Sequence, residues 1–131
     1  MDRIFLDANV LFSAAYRDDA GLLKLWTLPE TDVITSGYAA EEARRNLGDN
    51  AARARLGKLL ERMALVPEAP NIILPRSIRL PEKDRPILQA AIAAQATSLI
   101  TGDLRDFGSL FGRRVAGVRV ETPAEFLRRR A

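Results

Sequence analysis

RIFLDANVL, residues 3–11, joins a short apolar run directly to a carboxylate and then to a helical pattern. Arg3–Leu6 reads as a first strand, Asp7 follows it at once, and Val10–Tyr16 reads as helix. The same junction recurs later: Ser98–Thr101 reads as a strand, Gly102 breaks it, and Asp103 opens a short helix. Between these two points, strand-like and helical segments alternate. Ala20–Leu28 is helical, set apart from the first helix by Asp18-Asp19, and Asp32–Thr35 is a second strand. Ser36 is placed to cap a helix over Tyr38–Leu47. After the Gly48-Asp49-Asn50 break, apolar residues at 52, 56, 59, 60 and 63 predict a helix over Ala51–Leu65.

Pro67 and Pro70 end that helix, and Asn71–Leu74 is the expected third strand. Lys83–Gln95 is a helix with Pro86 in its first turn, where proline is tolerated. Val118–Val120 is a fifth strand, and Thr122-Pro123 supplies the cap and first residue of a last helix. Short apolar strands alternating with helices indicate a parallel sheet covered on both faces. The expectation is one α/β domain over residues 1–131, a three-layer α/β/α sandwich whose sheet has about four to five strands.

The 131 residues are 47% hydrophobic and 28% charged, the balance of a folded domain. There is no Cys and no His. Disulfides, thiol nucleophiles, zinc sites and His-centred triads are therefore excluded, and acid–base or metal work falls to carboxylates. The apolar run before Asp7 is too short for a signal peptide, and the longest apolar candidate, Leu88 to Ile100, is interrupted by Gln95, Thr97 and Ser98. A cytoplasmic protein without a membrane segment is expected.

Net charge is +3, and residues 113–130 carry six Arg against two Glu. Seventeen Arg against three Lys suits bidentate contact with phosphate, although Arg128–Arg130 also suit the end of a terminal helix.

Each acidic residue has an ordinary structural reading. Asp7 and Asp103 can cap helices, Asp84 can stabilise a helix start, and Glu42 can be a solvated helix residue. Jointly they read differently. The carboxyl ends of parallel strands share one edge, where a binding crevice forms, and Asp7 and Asp103 both sit at such ends. Carboxylates gathered there repel one another and call for a cation. With oxygen ligands alone, that cation is Mg²⁺ or Mn²⁺, and the chemistry is metal-assisted phosphodiester hydrolysis.

These segments resemble PIN domains. Ile4–Leu11 resembles the opening strand and D-x-N signature, and Glu42-Ala43-Arg44-Arg45-Asn46-Leu47 resembles the second motif. Asp84-Arg85-Pro86-Ile87-Leu88 resembles the third, Leu99–Asp103 with Phe107 the fourth, and Gly117 to Leu127 the closing segment. The resemblance spans nearly the whole chain. It implies a Mg²⁺- or Mn²⁺-dependent ribonuclease with Asp7, Glu42, Asp84 and Asp103 as the acidic metal pocket. It further implies that Asn9 orients Asp7 or a bound water, that Thr101 hydrogen-bonds within the pocket, and that Asp106 is a fifth acidic member. Small single-domain members of the family include VapC-like toxins, silenced by a co-expressed antitoxin and commonly homodimeric.

Glu41 and Glu42 differ in direction by about 100° on a helix, so one of them faces the pocket, and the spacing to Leu47 favours Glu42. Arg44, Arg45, Arg85 and Arg105 adjoin the proposed ligand segments and are candidate phosphate contacts. Two Tyr, one Trp and five Phe do not make a base-stacking platform, and Trp26 is assigned to the core.

Other readings fit less well. A haloacid dehalogenase-type enzyme wants a second Asp where Asn9 stands and a Lys later than Lys83. P-loop and dinucleotide fingerprints are missing from the sequence. A PIN-like module that binds RNA or protein without cleaving, and a housekeeping RNA-processing nuclease, remain as alternatives.

Overall fold

A computed structural model describes residues 1–130. The strands are β1 (Asp2–Leu6), β2 (Thr31–Ser36), β3 (Ala64–Val66), β4 (Ser98–Ile100), β5 (Arg114–Val115) and β6 (Val118–Glu121). The helices are α1 (Ala8–Tyr16), α2 (Gly37–Asn46), α3 (Asn50–Glu61), α4 (Arg85–Ala93), α5 (Leu104–Phe107) and α6 (Pro123–Arg130). The six strands form one sheet in the order β3-β2-β1-β4-β6-β5, parallel except for the β5–β6 pair. The chain moves outward from β1 through β2 to β3, then crosses back to β4 on the other side of β1. Because parallel crossovers are right-handed as a rule, this reversal of direction at β1 puts helices on both faces, in the expected α/β/α arrangement.

β1 is central because its side chains can be buried on both faces: Ile4, Phe5 and Leu6 are all fully buried. α1 packs against α2 and α3, turning Val10, Leu11, Ala14 and Ala15 into the interior. α4 carries a similar stripe of Ile87, Leu88, Ala90 and Ala91, with Pro86 in its first turn. Ser36 caps α2 by accepting from the Ala39 N–H at 3.2 Å. Phe126 anchors α6, whose end is tied down by two ion pairs. Arg129 reaches Glu121 on β6 at 2.7 Å, and Arg130 reaches Asp2 on β1 at 2.7 Å. Trp26 is buried in the core, with its indole N–H on the Leu59 carbonyl at 3.3 Å.

Four sequence expectations are corrected. The helix expected over Ala51–Leu65 ends at Glu61, and Ala64–Val66 instead pairs with Ile34–Ser36 as an edge strand. Apolar spacing alone does not separate a helix end from a short strand, and the open edge of β2 supplies the backbone partners. Asn71–Leu74 is accordingly a loop: Ile73 is exposed while Leu74 is buried, and Gln89 holds the Ile72 carbonyl at 2.9 Å. Ala20–Leu28 forms a tighter 3₁₀ turn over Gly21–Trp26 rather than an α-helix. The sheet also has six strands rather than about four to five. The added one, β5, is a two-residue hairpin partner closed by Ala116 and Gly117, both at positive φ.

Among the described residues, no helix is long and apolar enough to cross a membrane.

Candidate functional site

The strand order reverses between β1 and β4, and the carboxyl ends of these neighbours mark the switch point of the sheet. The parallel ladder continues one step beyond each strand. The Asp7 N–H donates to the Ile100 carbonyl at 3.0 Å, and the Thr101 N–H donates to the Glu121 carbonyl at 3.1 Å. Asp7 and Thr101 are thus placed by backbone pairing before their side chains are considered.

Asp7 is buried. One carboxylate oxygen caps α1 by accepting from the Ala8 N–H at 2.7 Å. The other accepts from the Thr101 hydroxyl at 2.8 Å and from the Asn9 amide at 3.2 Å. The Thr101 oxygen in turn accepts from the Asp103 N–H at 3.1 Å and from Asn9 Nδ2 at 3.2 Å. Asn9 Oδ1 takes the Gly102 N–H at 2.8 Å. A Cβ at Gly102 would stand 3.3 Å from that same Asn9 oxygen, so the glycine permits the close approach. This network locks the D-x-N turn after β1 to the T-G-D turn after β4.

Asp103 caps α5 by accepting from the Asp106 N–H at 3.0 Å. Asp7 and Asp103 therefore serve as helix caps and as members of the site at once. Asp84 differs: it opens α4 but makes no capping hydrogen bond, and its Oδ2 is buried without a hydrogen-bond partner. Carboxylate oxygens of Asp84, Asp103 and Asp106 lie within 4.8 Å of one another. Asp7 adjoins this trio through Thr101. Glu42, half-buried on α2, borders a cavity of about 280 Å³ with Ala8, Asn9, Phe12 and Asn46.

The electrostatics follow from burial and crowding. Burial pushes the Asp7 carboxyl up, against the hydrogen bonds from Thr101 and Ala8, and the charges of Glu42 and Asp103 add to the rise. Asp84 is pushed up to about 7, chiefly by burial and then by the Asp106 carboxylate. Asp106 is held below the usual carboxylate range, first by Lys83 and then by Asp84. Burial, then Glu42 and Asp84, raise the Tyr38 phenol.

The structure brings Asp7, Asp84, Asp103 and Asp106 together at one sheet edge with Asn9 and Thr101 among them, and Glu42 overlooks Asp7. Glu41 points elsewhere: Arg44 grips it with two hydrogen bonds, at 3.0 and 2.7 Å, and both line the groove between α2 and α3. Arg44 is consequently not brought to the acidic cluster. Arg45 and Arg105 are exposed, and Arg85 is half-buried at the start of α4.

Two residues escaped the sequence reading. Lys83 places its ammonium 3.0 Å from Asp106 and 3.6 Å from Asp84, and Asp106 pushes that ammonium's pKa up. Tyr38 donates from its hydroxyl to the Lys83 carbonyl at 2.6 Å. The signal available for Lys83 was its rarity, as one of three lysines, next to a candidate ligand.

An all-oxygen donor set with one orphaned buried carboxylate oxygen suits a hard divalent ion such as Mg²⁺ or Mn²⁺. Fold and site together define an α/β protein that carries its carboxylate cluster at the switch point of a parallel sheet. Residues 3–105 match the family model described as PIN domain, and the chain belongs to that family, whose members are generally nucleases. No curated protein sequence matches the chain significantly. Among solved structures, the fold is similar to a chain in the crystal structure of VapBC2 from Rickettsia felis bound to a DNA fragment from their promoter. The identity is 15% and the TM-score 0.60, over 92% of this chain and 98% of that one.

Proposed function

We propose that residues 1–131 form a single-domain, divalent-metal-dependent endoribonuclease, the toxin of a VapBC-like toxin–antitoxin pair. The observation that carries the reading is Asp84: a buried carboxylate that caps nothing, has one oxygen without a hydrogen bond, and lies with Asp103 and Asp106 in one cluster. Asp103 caps α5 and Asp106 pairs with Lys83, but Asp84 has no such role, and its crowding against the other two carboxylates raises a repulsion that a bound cation or a proton must offset.

Asp84, Asp103 and Asp106 would hold Mg²⁺ or Mn²⁺, with Asp7 and Glu42 completing the pocket. When bound, such an ion acidifies water and neutralises charge developing on a phosphate. The chain's own residues supply the positioning. Asn9 and Thr101 hold Asp7 in one rotamer, and Thr101 also steers the Asp103 backbone. Arg45, Arg85 and Arg105 are the candidates for drawing the RNA backbone over a negative pocket, with Arg44 turned away.

A cognate antitoxin is the proposed protein partner, supported by the fold's likeness to a chain of a VapBC complex, and a cytoplasmic homodimer is the proposed assembly. The test is cleavage of a mixed structured and single-stranded RNA pool by the pure protein with Mg²⁺, Mn²⁺ or EDTA, alongside Asp7→Asn and Asp103→Asn. Metal-dependent cleavage that both substitutions abolish is expected. Silence with every metal, and no thermal stabilisation by any of them, would leave a non-catalytic binding module.

A further inference from the structure

The acidic edge already contains a cation of its own. Lys83 Nζ lies 3.0 Å from Asp106 and 3.6 Å from Asp84, so one ammonium touches two of the three carboxylates that could share an ion. An ordinary surface pair is the competing explanation, since the Lys83 side chain is 64% exposed and such pairs contribute little. Two features separate it from one. Asp84 Oδ2 is buried and has no hydrogen bond, so the ammonium is its nearest compensating charge. In addition, the Lys83 backbone is not free: the Tyr38 hydroxyl grips its carbonyl at 2.6 Å, and Tyr38 lies one helical turn before Glu42 on α2. The backbone from which the ammonium reaches Asp106 and Asp84 is thereby tied to the same helix that presents Glu42.

From this geometry we infer that the Lys83 ammonium is a tethered cation occupying one cation position of the cluster, so that the cluster takes one divalent ion fewer than its carboxylates could hold. The inference rests on the proposed metal-dependent reading and concerns its stoichiometry. Once metal has displaced the Asp84 proton, the carboxylates of Asp84, Asp103 and Asp106 alone carry one more negative charge than a single divalent ion neutralises. A covalently attached ammonium on Asp84 and Asp106 offsets that excess and needs no supply from solution.

The full chain, its Lys83→Met variant and its Lys83→Arg variant are titrated with Mn²⁺, following the free ion by its paramagnetic resonance signal. Lys83→Met is expected to bind one more Mn²⁺ per chain than the unaltered protein, and Lys83→Arg to return the count to the original value. Lys83→Gln serves as the neutral variant if Lys83→Met does not fold, and thermal melts give a second readout. Mn²⁺ should raise the melting temperature of the neutral variant by more than that of the unaltered chain. An equal, nonzero count in the neutral variant and the unaltered protein would overturn the inference while leaving the metal site intact. No Mn²⁺ bound by any of the proteins would overturn the inference and the metal-dependent reading together.

Discussion

The Tyr38 hydroxyl donates a 2.6 Å hydrogen bond to the Lys83 carbonyl, joining the helix that carries Glu42 to the turn that carries Asp84. Forty-five residues separate the partners, so the bond is a long-range tie. Tyr38→Phe keeps the ring and deletes the tie. The expected loss is about 0.5–1.5 kcal/mol of stability, the usual net worth of one hydrogen bond. RNA cleavage should fall with it, because the Asp84 turn loses its anchor. Urea melts and cleavage assays on one preparation check both, and unchanged cleavage would show that α2 does not position the turn.

Asn9 makes three side-chain hydrogen bonds, to Asp7, Thr101 and the Gly102 amide, and so acts on the cluster through its neighbours. Asn9→Ala should lower cleavage by about 10–100-fold, the range found when a group supporting a metal ligand is removed. Metal affinity, read by calorimetry, should weaken in parallel. A variant cleaving at the original rate would place Asn9 outside the machinery.

Gly102→Ala tests the same junction from the other side. The new methyl meets Asn9 Oδ1 at 3.3 Å, and the Asn9 side chain is held at three points and does not yield freely. Cleavage is expected to drop by about tenfold, since small misplacements of positioned groups are costly. Full activity would mean that the T-G-D turn shifts as a unit.

Asp84 predicts a pH dependence with a definite sign. Its pKa is raised from 3.8 to about 7 in the fold, so its protonated form is the favoured one there. The stability it contributes is whole below its unfolded value and is lost as pH rises through about 7. Metal binding must displace that proton, so Mg²⁺ should raise the melting temperature more at about pH 8 than at about pH 5.5. Melts in EDTA and in Mg²⁺ across this window measure it. A metal shift independent of pH would remove Asp84 from the ligand set.

On β6, beside β4, Glu121 is buried beneath α6, accepting from the Ser98 hydroxyl at 2.5 Å and from Arg129 at 2.7 Å. Arg129→Ala strands this carboxylate. The expected loss is about 3 kcal/mol, the low end for a broken buried pair, because Arg129 is partly exposed and water can reach the gap. Chemical denaturation reads the loss directly. A change under about 0.5 kcal/mol would mean that water replaces the guanidinium without penalty.

Much of this molecule was legible from sequence because its chemistry sits at chain junctions. An apolar tripeptide running straight into Asp7, and Thr101-Gly102-Asp103 closing another strand, identify two βα turns without any tertiary knowledge. Parallel pairing then brings both turns to one edge, and the absence of His and Cys restricts that edge to carboxylate chemistry. Elements whose identity depends on a distant partner were not legible. Ala64–Val66 continues a helical pattern and becomes a strand only because β2 offers an unpaired edge, and two-residue β5 exists only against β6.

The same division runs through the site. Strand ends and cap positions made Asp7 and Asp103 visible, since local backbone geometry alone demands an acceptor there. That Asp84 caps nothing, that Asp106 rather than Asp7 shares its ion-sized space with Asp103, and that Lys83 reaches into it were decided by tertiary packing. Spacing along a chain reports which way a backbone turns. It does not report which side chains from separate turns come within a few ångströms, and at that range Coulomb interaction and desolvation set the charge state of the site.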